Sequence, residues 1–100
     1  MEYTIFDDGA HAWIEVDKEE LRQLGIDKKI SGYSYERGDK AYLEEDCDLA
    51  IFVNAKVKSI MGTSGAILAN QRMWLEENSI TSWEDRHKEI RNYRHYKGRR

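Results

Sequence analysis

The sequence lacks proline altogether, has one cysteine, and contains no long apolar run. A lone Cys47 cannot form an intramolecular disulfide. The longest apolar run covers residues 49–53, far short of the roughly 20 residues that cross a bilayer, so no membrane partner is expected. The chain has no repeat, low-complexity tract or linker, and its length suits one domain over residues 1–100. Its first residues have neither the basic start nor the apolar stretch of a secretory signal, so we expect a cytoplasmic protein.

Charge is unevenly distributed along the chain. The formal net charge is −3, but residues 1–80 hold nine Lys or Arg against sixteen Asp or Glu, and residues 81–100 hold seven against three. An acidic body with a basic C-terminal end can contact an anionic partner, or the acidic face of another copy.

The first half of the chain reads as two hairpins separated by a short helix. Strands are predicted at 3–6 and 11–16 around a turn at 7–9, and at 30–35 and 40–45 around a turn at 36–39. In the second strand Trp13 and Glu15 fall on one face and the apolar Ile14 and Val16 on the other. A capping box at 17–20 predicts a helix that ends at Gly25.

The second half reads as helical. Apolar residues at helical spacing predict a helix from residue 48 to about residue 60, and a weaker pattern predicts another at 66–77. A basic C-terminal helix is predicted at 82–97, with Trp83, Ile90 and Tyr93 on one face. The order β-β-α-β-β-α-α-α indicates an α+β fold, in which a small antiparallel sheet of two hairpins packs against three to four helices.

The densest functional signal is an acidic segment between the second hairpin and the next helix. Its carboxylates could cap the helix, form a patch that binds a basic protein, or hold a hard metal ion, although calcium-loop spacing is missing. Three tyrosines of the hairpin could add an exposed recognition face or cover the core. The predicted partner-binding residues are therefore Glu44, Glu45, Asp46, Asp48, Tyr33, Tyr35 and Tyr42.

The basic C-terminal end supports a different hypothesis. Arginines and lysines neutralise phosphates and tyrosines stack on bases, so this region could bind nucleic acid or a nucleotide. Its alternative is a helix that packs on the core and leaves a solvated basic face, and an acidic body would repel a long polyanion. The residues of the nucleic-acid hypothesis are Arg91, Tyr93, Arg94, Tyr96, Lys97 and Arg99.

Catalysis is not indicated by any motif. Cys47 has no assignable base, His87 and His95 are eight residues apart and lack further zinc ligands, and no phosphate-binding loop or nucleophile elbow is present. An enzyme that uses His11 and the carboxylates with a metal would need a bound divalent ion. We therefore expect no catalytic residues, no metal and no cofactor.

Several stretches resemble a family of small proteins from phages and other mobile elements. They are residues 11–16 (HAWIEV), 24–26 (LGI), 29–35 (KISGYSY) and 42–48 (YLEEDCD), all in the first half of the chain. The family pattern has glycines beside the histidine, where this chain has Ala10 and Ala12. The resemblance implies no catalytic residues. It does imply a setting in which a small protein binds and inhibits a host protein, including restriction or CRISPR machinery.

Overall fold

The computed structural model describes residues 2–63 and 67–97, and for 85 and 86 only the backbone. Within these residues the fold is α+β: six strands form one mixed sheet, and three α-helices and the 3-10 helix Asp85–Asn92 accompany it. The strands are β1 Tyr3–Asp7, β2 Ala12–Asp17, β3 Tyr35–Arg37, β4 Lys40–Glu44, β5 Ser79–Trp83 and β6 Arg94–His95. The α-helices are α1 Lys18–Gln23, α2 Asp48–Met61 and α3 Leu68–Asn78, and a 3-10 helix spans Asp85–Asn92.

The strands lie in the order β5-β1-β2-β4-β3-β6. Strand β5 runs parallel to β1, and every other neighbouring pair is antiparallel. The register places Ile14 opposite Ile5 on β1 and opposite Leu43 on β4. Because side chains alternate along a strand, this register stacks one set of apolar residues on one face of the sheet and a second, mostly aromatic set on the other.

One side of the sheet, the helix-covered face, carries the larger core. Helix α1 contributes Leu21, α2 contributes Phe52, Val53 and Val57, and α3 contributes Trp74. Tyr3 makes edge contacts with both Phe52 and Trp74 at ring-centroid distances of 5.3 and 5.7 Å. The buried set is Tyr3, Ile14, Val16, Leu21, Ile26, Ile30, Ala41, Leu43, Phe52, Val53, Val57, Trp74 and Tyr96.

The opposite side, the aromatic face, buries a much smaller cluster. Trp13, Tyr42 and Ile90 form it, and Phe6, Tyr35 and Tyr93 pack around them partly exposed. Ile90 comes from the 3-10 helix, which lies against β1 on this side. The aromatic face therefore has a thin cover and leaves some of its rings at the surface.

The first hairpin and helix agree with the sequence, except at the cap. Gly9 has a φ of 94° in the turn, and Gly25 has a φ of 71° after α1, both in the left-handed region that favours glycine. The capping box is wrong: Asp17 makes no cap hydrogen bond and pairs with Lys40. Glu20 instead accepts hydrogen bonds from Tyr3 and from Lys56. Both carboxylates therefore contact residues that are distant in the chain, and Asp17 does not cap the helix.

The second hairpin is shorter than predicted. Its first strand covers only Tyr35–Arg37, so the strand predicted at 30–35 is wrong over most of its length. In residues 30–34, Ile30 and Ser34 are both buried, and Ser31 and Ser34 hydrogen-bond the Asp48 carboxylate. This side-chain network replaces the backbone ladder of a strand. Gly38, with a φ of 61°, forms the turn as expected.

The largest correction concerns the C-terminal region. Helices α2 and α3 match the predicted helices, but the predicted basic helix at 82–97 is absent. Residues 79–83 form strand β5 along β1, Asp85–Asn92 is a 3-10 helix, and Arg94–His95 pairs with β3. Both predicted hairpins are present and the predicted order holds through α3, but the sheet is mixed and has six strands in the described residues, because the last predicted helix is replaced by strands that pair with the open edges of β1 and β3. Across the described ranges, no helix combines the length and apolar character needed to cross a membrane.

Candidate partner-binding depression on the aromatic face

A shallow depression of about 330 Å³ lies on the aromatic face, where β2, β4 and β3 run side by side. We call it the aromatic-face depression. Strands β2 and β3 supply the aromatic Trp13 and Tyr35, the end of β4 supplies Glu44, and the turn after β4 supplies Asp46. Its lining residues are His11, Trp13, Tyr33, Tyr35, Glu44, Asp46 and Arg91.

The floor of the depression is aromatic and held in place. Trp13 is 2% exposed and meets Tyr35 edge to face at a centroid distance of 6.4 Å. On its other side Tyr35 stacks with His95 of β6 at 5.0 Å. The Nδ1 atom of His95 lies 2.7 Å from the carbonyl oxygen of Gly32, which ties β6 to the loop before β3. These contacts hold the rings of Trp13, Tyr35 and His95 against one another.

The indole N–H of Trp13 has no hydrogen-bond acceptor among the described residues. It is the one buried side-chain nitrogen or oxygen atom there that lacks a partner. A buried donor without an acceptor destabilises a fold by about 1–3 kcal/mol. The aromatic floor therefore contains a polar group that the rest of the protein leaves unsatisfied.

Tyr33 stands at the rim with 72% of its surface exposed. Its position is fixed through the backbone, because its amide donates to the Ser31 hydroxyl at 3.1 Å. That hydroxyl donates in turn to Asp48 Oδ2 at 2.7 Å, and Asp48 is 1% exposed. The Ser34 hydroxyl donates to the same oxygen at 2.5 Å and accepts from the Glu44 amide at 3.0 Å. A buried carboxylate thus positions both the tyrosine loop and the start of the acidic segment.

The acidic rim is formed by Glu44 and Asp46. The Asp46 amide donates to the Glu44 carboxylate at 3.0 Å, which orders the turn. Next to them Glu45 is exposed, and its pKa is raised by partial burial and then by the nearby charges of Asp46, Asp7 and Glu44. Desolvation is the larger cause, and the smaller contributions of the three neighbouring carboxylates show a negative charge density to which a cationic group would be attracted.

A single basic side chain also lines the depression. Arg91 of the 3-10 helix lies 4.0 Å from the Asp8 carboxylate. The backbone amides of His11 and Ala10 also donate to Asp8, at 2.7 and 2.8 Å. The His11 amide bond is the leading cause that lowers the pKa of Asp8, with Arg91 a smaller one. Arg91 is therefore directed toward an internal carboxylate, and the acidic side of the depression has no basic partner within ion-pair distance among the described residues.

The structure divides the predicted partner-binding set. Tyr33, Tyr35, Glu44 and Asp46 line one depression, and Glu45 is exposed on the same segment. Asp48 and Tyr42 are buried, so neither is available to a partner: Asp48 accepts the serine hydrogen bonds, and the Tyr42 hydroxyl donates to Glu15 at 2.9 Å. Helical and strand periodicity did not reveal this, because both residues are buried by contacts with distant segments: Tyr42 packs in the cluster of Trp13 and Ile90, and Asp48 accepts hydrogen bonds from the serine loop.

The nucleic-acid set does not form one surface. Arg91 lines the aromatic-face depression, whereas Tyr93 and Arg94 line a separate depression beside Arg37. Tyr96 is buried and its hydroxyl donates to the Asp27 carbonyl at 2.9 Å, so it cannot stack on a base. Lys97 is exposed, and Arg99 lies outside the described residues.

Sequence reasoning missed Trp13 and His95 as parts of this region. Strand alternation placed Trp13 opposite the apolar Ile14 and Val16, and a large aromatic residue on the second face was a usable signal. Nothing local indicated His95, because its contact with Tyr35 depends on the unexpected strand β6.

The next question is whether Cys47 or a group of possible metal ligands in the described residues is arranged for catalysis. Cys47 is exposed, but the pKa of its thiol is raised by desolvation and by Glu44, Asp48 and Asp46, which disfavours the nucleophilic thiolate. Within the described ranges, no three His, Cys, Asp or Glu side chains are placed to share a metal ion.

Comparisons of the chain with protein-family models, curated proteins and solved structures found no match.

Proposed function

We propose that this protein is a non-catalytic interaction protein whose aromatic-face depression binds a basic segment of a partner protein. The observation that carries the proposal is the meeting of an exposed tyrosine, Tyr33, with two carboxylates, Glu44 and Asp46, above a fixed aromatic floor. Lysine and arginine side chains are attracted both to aromatic ring faces and to carboxylates. The depression offers both to the same cation.

The unsatisfied Trp13 N–H supports an extended protein segment as the ligand. A main-chain carbonyl beside the bound cationic side chain is an acceptor for this donor, once small shifts of the surrounding rings open access to it. Tyrosine and tryptophan are enriched where proteins bind one another, because they bury much area with few rotatable bonds. Two features of the depression therefore match one kind of ligand.

The resemblance to small mobile-element proteins suggests which kind of partner this protein binds. A partner with a basic surface that normally binds nucleic acid, such as a restriction or CRISPR component of the host, fits an acidic ligand-binding face. Occupation of that surface would inhibit the partner by competition with its nucleic acid.

The test is affinity capture from host lysate, with nuclease present, by the wild-type protein and by the double variant Glu44→Lys, Asp46→Lys. We expect a stoichiometric protein partner that the double variant fails to capture. The matched control is Glu76→Lys, Glu77→Lys, the same charge change at exposed positions of α3, which should capture the partner normally. Equal capture by all three proteins would exclude this depression as the binding site.

A direct probe complements the capture. Titration with a short arginine-containing peptide should shift the indole N–H resonance of Trp13, and a glutamate-containing peptide of the same length should not. If the arginine-containing peptide binds but the Trp13 resonance does not move, the peptide binds outside the aromatic-face depression.

A second candidate function, binding of a phosphate-bearing ligand such as a nucleotide or single-stranded nucleic acid, is supported by one observation. Lys18, Arg37 and Arg94 line a depression of about 610 Å³ together with Tyr93. The Arg37 guanidinium lies 5.2 Å from the Tyr93 ring centroid, and Lys18 is already paired with Glu36 at 3.0 Å. This candidate predicts oligonucleotide binding that weakens steeply with salt and is lost in Arg37→Gln, Arg94→Gln. No binding at low salt would exclude it.

A further inference from the structure

Strand β5 forms one edge of the sheet and carries no charge. Its sequence is Ser-Ile-Thr-Ser-Trp, and among the described residues no strand lies beyond it. Ile80 is 52% exposed and Trp83 is 69% exposed. An uncharged edge strand with two exposed large apolar side chains is an available template for pairing with another chain.

The direction of its free backbone groups follows from the hydrogen bonds to β1. The Glu84 amide donates to the Asp7 carbonyl at 3.1 Å, and Ser82 and Ile80 are in phase with Glu84 along the parallel ladder. In a parallel pair, alternate residues direct both N–H and C=O toward the neighbour. The backbone groups of Ser79, Thr81 and Trp83 therefore point outward from the sheet.

The two edges of the sheet differ in how they are protected. The other edge, β6, has only two residues, Arg94 and His95, and both are basic in type. Natural proteins protect edges with short strands, charged side chains, proline or bulges. Strand β5 has five residues and neither charge nor proline, so it is the unprotected edge of the described sheet.

We propose that β5 pairs with β5 of a second copy of this chain, antiparallel, with Thr81 on the twofold axis. In this register Thr81 faces Thr81 of the other copy, Ile80 faces Ser82, and Trp83 faces Ser79. Every large side chain meets a small one, and the outward backbone groups at 79, 81 and 83 match themselves. Directly opposite side chains in such pairs are the unit of sheet stabilisation.

The choice of a second copy as the occupant rests on this self-complementarity and on charge. The chain has a net charge of −3, and β5 brings no charged side chain of its own to the contact, so like charges within the strand do not oppose its pairing with a second copy. The isologous pairing makes one continuous sheet across two copies. It is independent of the proposed function, because none of the residues that line the aromatic-face depression belongs to β5.

The test is sedimentation velocity of the full chain across a concentration series, for wild type, Thr81→Lys and Thr81→Pro. Thr81→Lys places two like charges opposite each other on the axis, and we expect it to weaken the dimer at least about a hundredfold. Thr81→Pro removes an outward N–H while leaving the bonds of Ile80 and Ser82 to β1 intact, so it should also give a monomer. Circular dichroism verifies that each variant folds.

The matched control is Gln23→Lys, the same gain of charge at an exposed position on α1, which should dimerise like wild type. Amide hydrogen exchange on wild type gives a readout that needs no variant: protection of Thr81 and Trp83 should rise with protein concentration. A wild-type monomer up to about 0.5 mM, or a dimer that both Thr81 variants retain, would overturn the proposal. If β5 binds a different protein and not a second copy, the wild-type chain alone would remain a monomer in this experiment.

Discussion

The two faces of the sheet differ in how they treat apolar and polar groups. The helix-covered face buries thirteen core residues beneath three α-helices, whereas the aromatic face buries three beneath one 3-10 helix. On the helix-covered side, a buried carboxylate such as Asp48 accepts several hydrogen bonds. On the aromatic side, the buried Trp13 N–H has no hydrogen-bond acceptor among the described residues.

This difference teaches where stability and binding reside. Well-satisfied polar networks and interdigitated apolar side chains stabilise one face. Exposed rings, unpaired carboxylates and an unsatisfied donor on the other face reduce stability but leave groups for a partner. Stability and ligand contact thus occupy opposite sides of the same strands.

The largest effect is expected from a deletion in the helix-covered core. Ile14→Ala removes a side chain that is 0% exposed, between Ile5 and Leu43. Loss of buried area and the cavity left behind should lower the free energy of unfolding by about 4 kcal/mol. Urea denaturation measures it. A loss below about 1 kcal/mol would contradict the assignment of the main core to this face.

The next effect is expected at the carboxylate that joins the two faces. Asp48→Ala removes the acceptor for the Ser31 amide and for the Ser31 and Ser34 hydroxyls, which should cost about 3 kcal/mol. The control Asp46→Ala changes an exposed carboxylate nearby and should stay within about 0.5 kcal/mol. Similar urea midpoints for both variants would show that the Asp48 network does not stabilise the fold.

The matched deletion on the aromatic face should be smaller. Ile90→Ala removes the same atoms as Ile14→Ala, from a side chain that is 4% exposed under a thin cover. We expect a loss of about 2 kcal/mol, because water can enter the vacated space more easily there. If Ile90→Ala lowers stability as much as Ile14→Ala, the proposed asymmetry between the faces is wrong.

Alkaline pH probes one tyrosine on each face. Burial, followed by a hydrogen bond to a carboxylate, raises the pKa of Tyr3 beside Glu20 and of Tyr42 beside Glu15. A group whose pKa is raised by folding stabilises the fold fully below its unfolded pKa, near about 10, and loses that contribution as pH rises further. Urea midpoints from pH 8 to pH 11 should fall more steeply for wild type than for Tyr3→Phe or Tyr42→Phe. If the urea midpoints of wild type and of the two variants fall with the same slope against pH, folding does not raise the pKa of these two tyrosines.

The smallest effect is expected at acidic pH in the turn between β1 and β2. Backbone amides of His11 and Ala10, with Arg91, lower the pKa of Asp8. A depressed carboxyl pKa stabilises the fold above the unfolded value, near about 3.9, and the contribution disappears as pH falls through the folded pKa. Wild type should therefore exceed Asp8→Asn in stability at pH 7 and converge with it near pH 2.5. A constant difference across this range would contradict the prediction.

Much of the candidate site was visible in the sequence as separate parts. The tyrosines of residues 33 and 35 and the carboxylates of residues 44 and 46 were predicted to contact a partner, and the structure brings them into one depression. The sequence left open whether Tyr42 would cover the core, and nothing local indicated the burial of Asp48, because that burial depends on hydrogen bonds to the serine loop, more than ten residues away in the chain. Whether a partner binds there stays a prediction.

The sequence by itself determined the elements whose signals are local. Alternation in β2, the glycines after β1 and α1, and the helical spacing of α2 specify backbone conformation within a few residues, whatever lies around them. Only the tertiary structure decided the C-terminal half of the sheet. Residues 79–83 and 94–95 are too short to specify strands by themselves, and they become strands because their backbone groups pair with the open edges of β1 and β3.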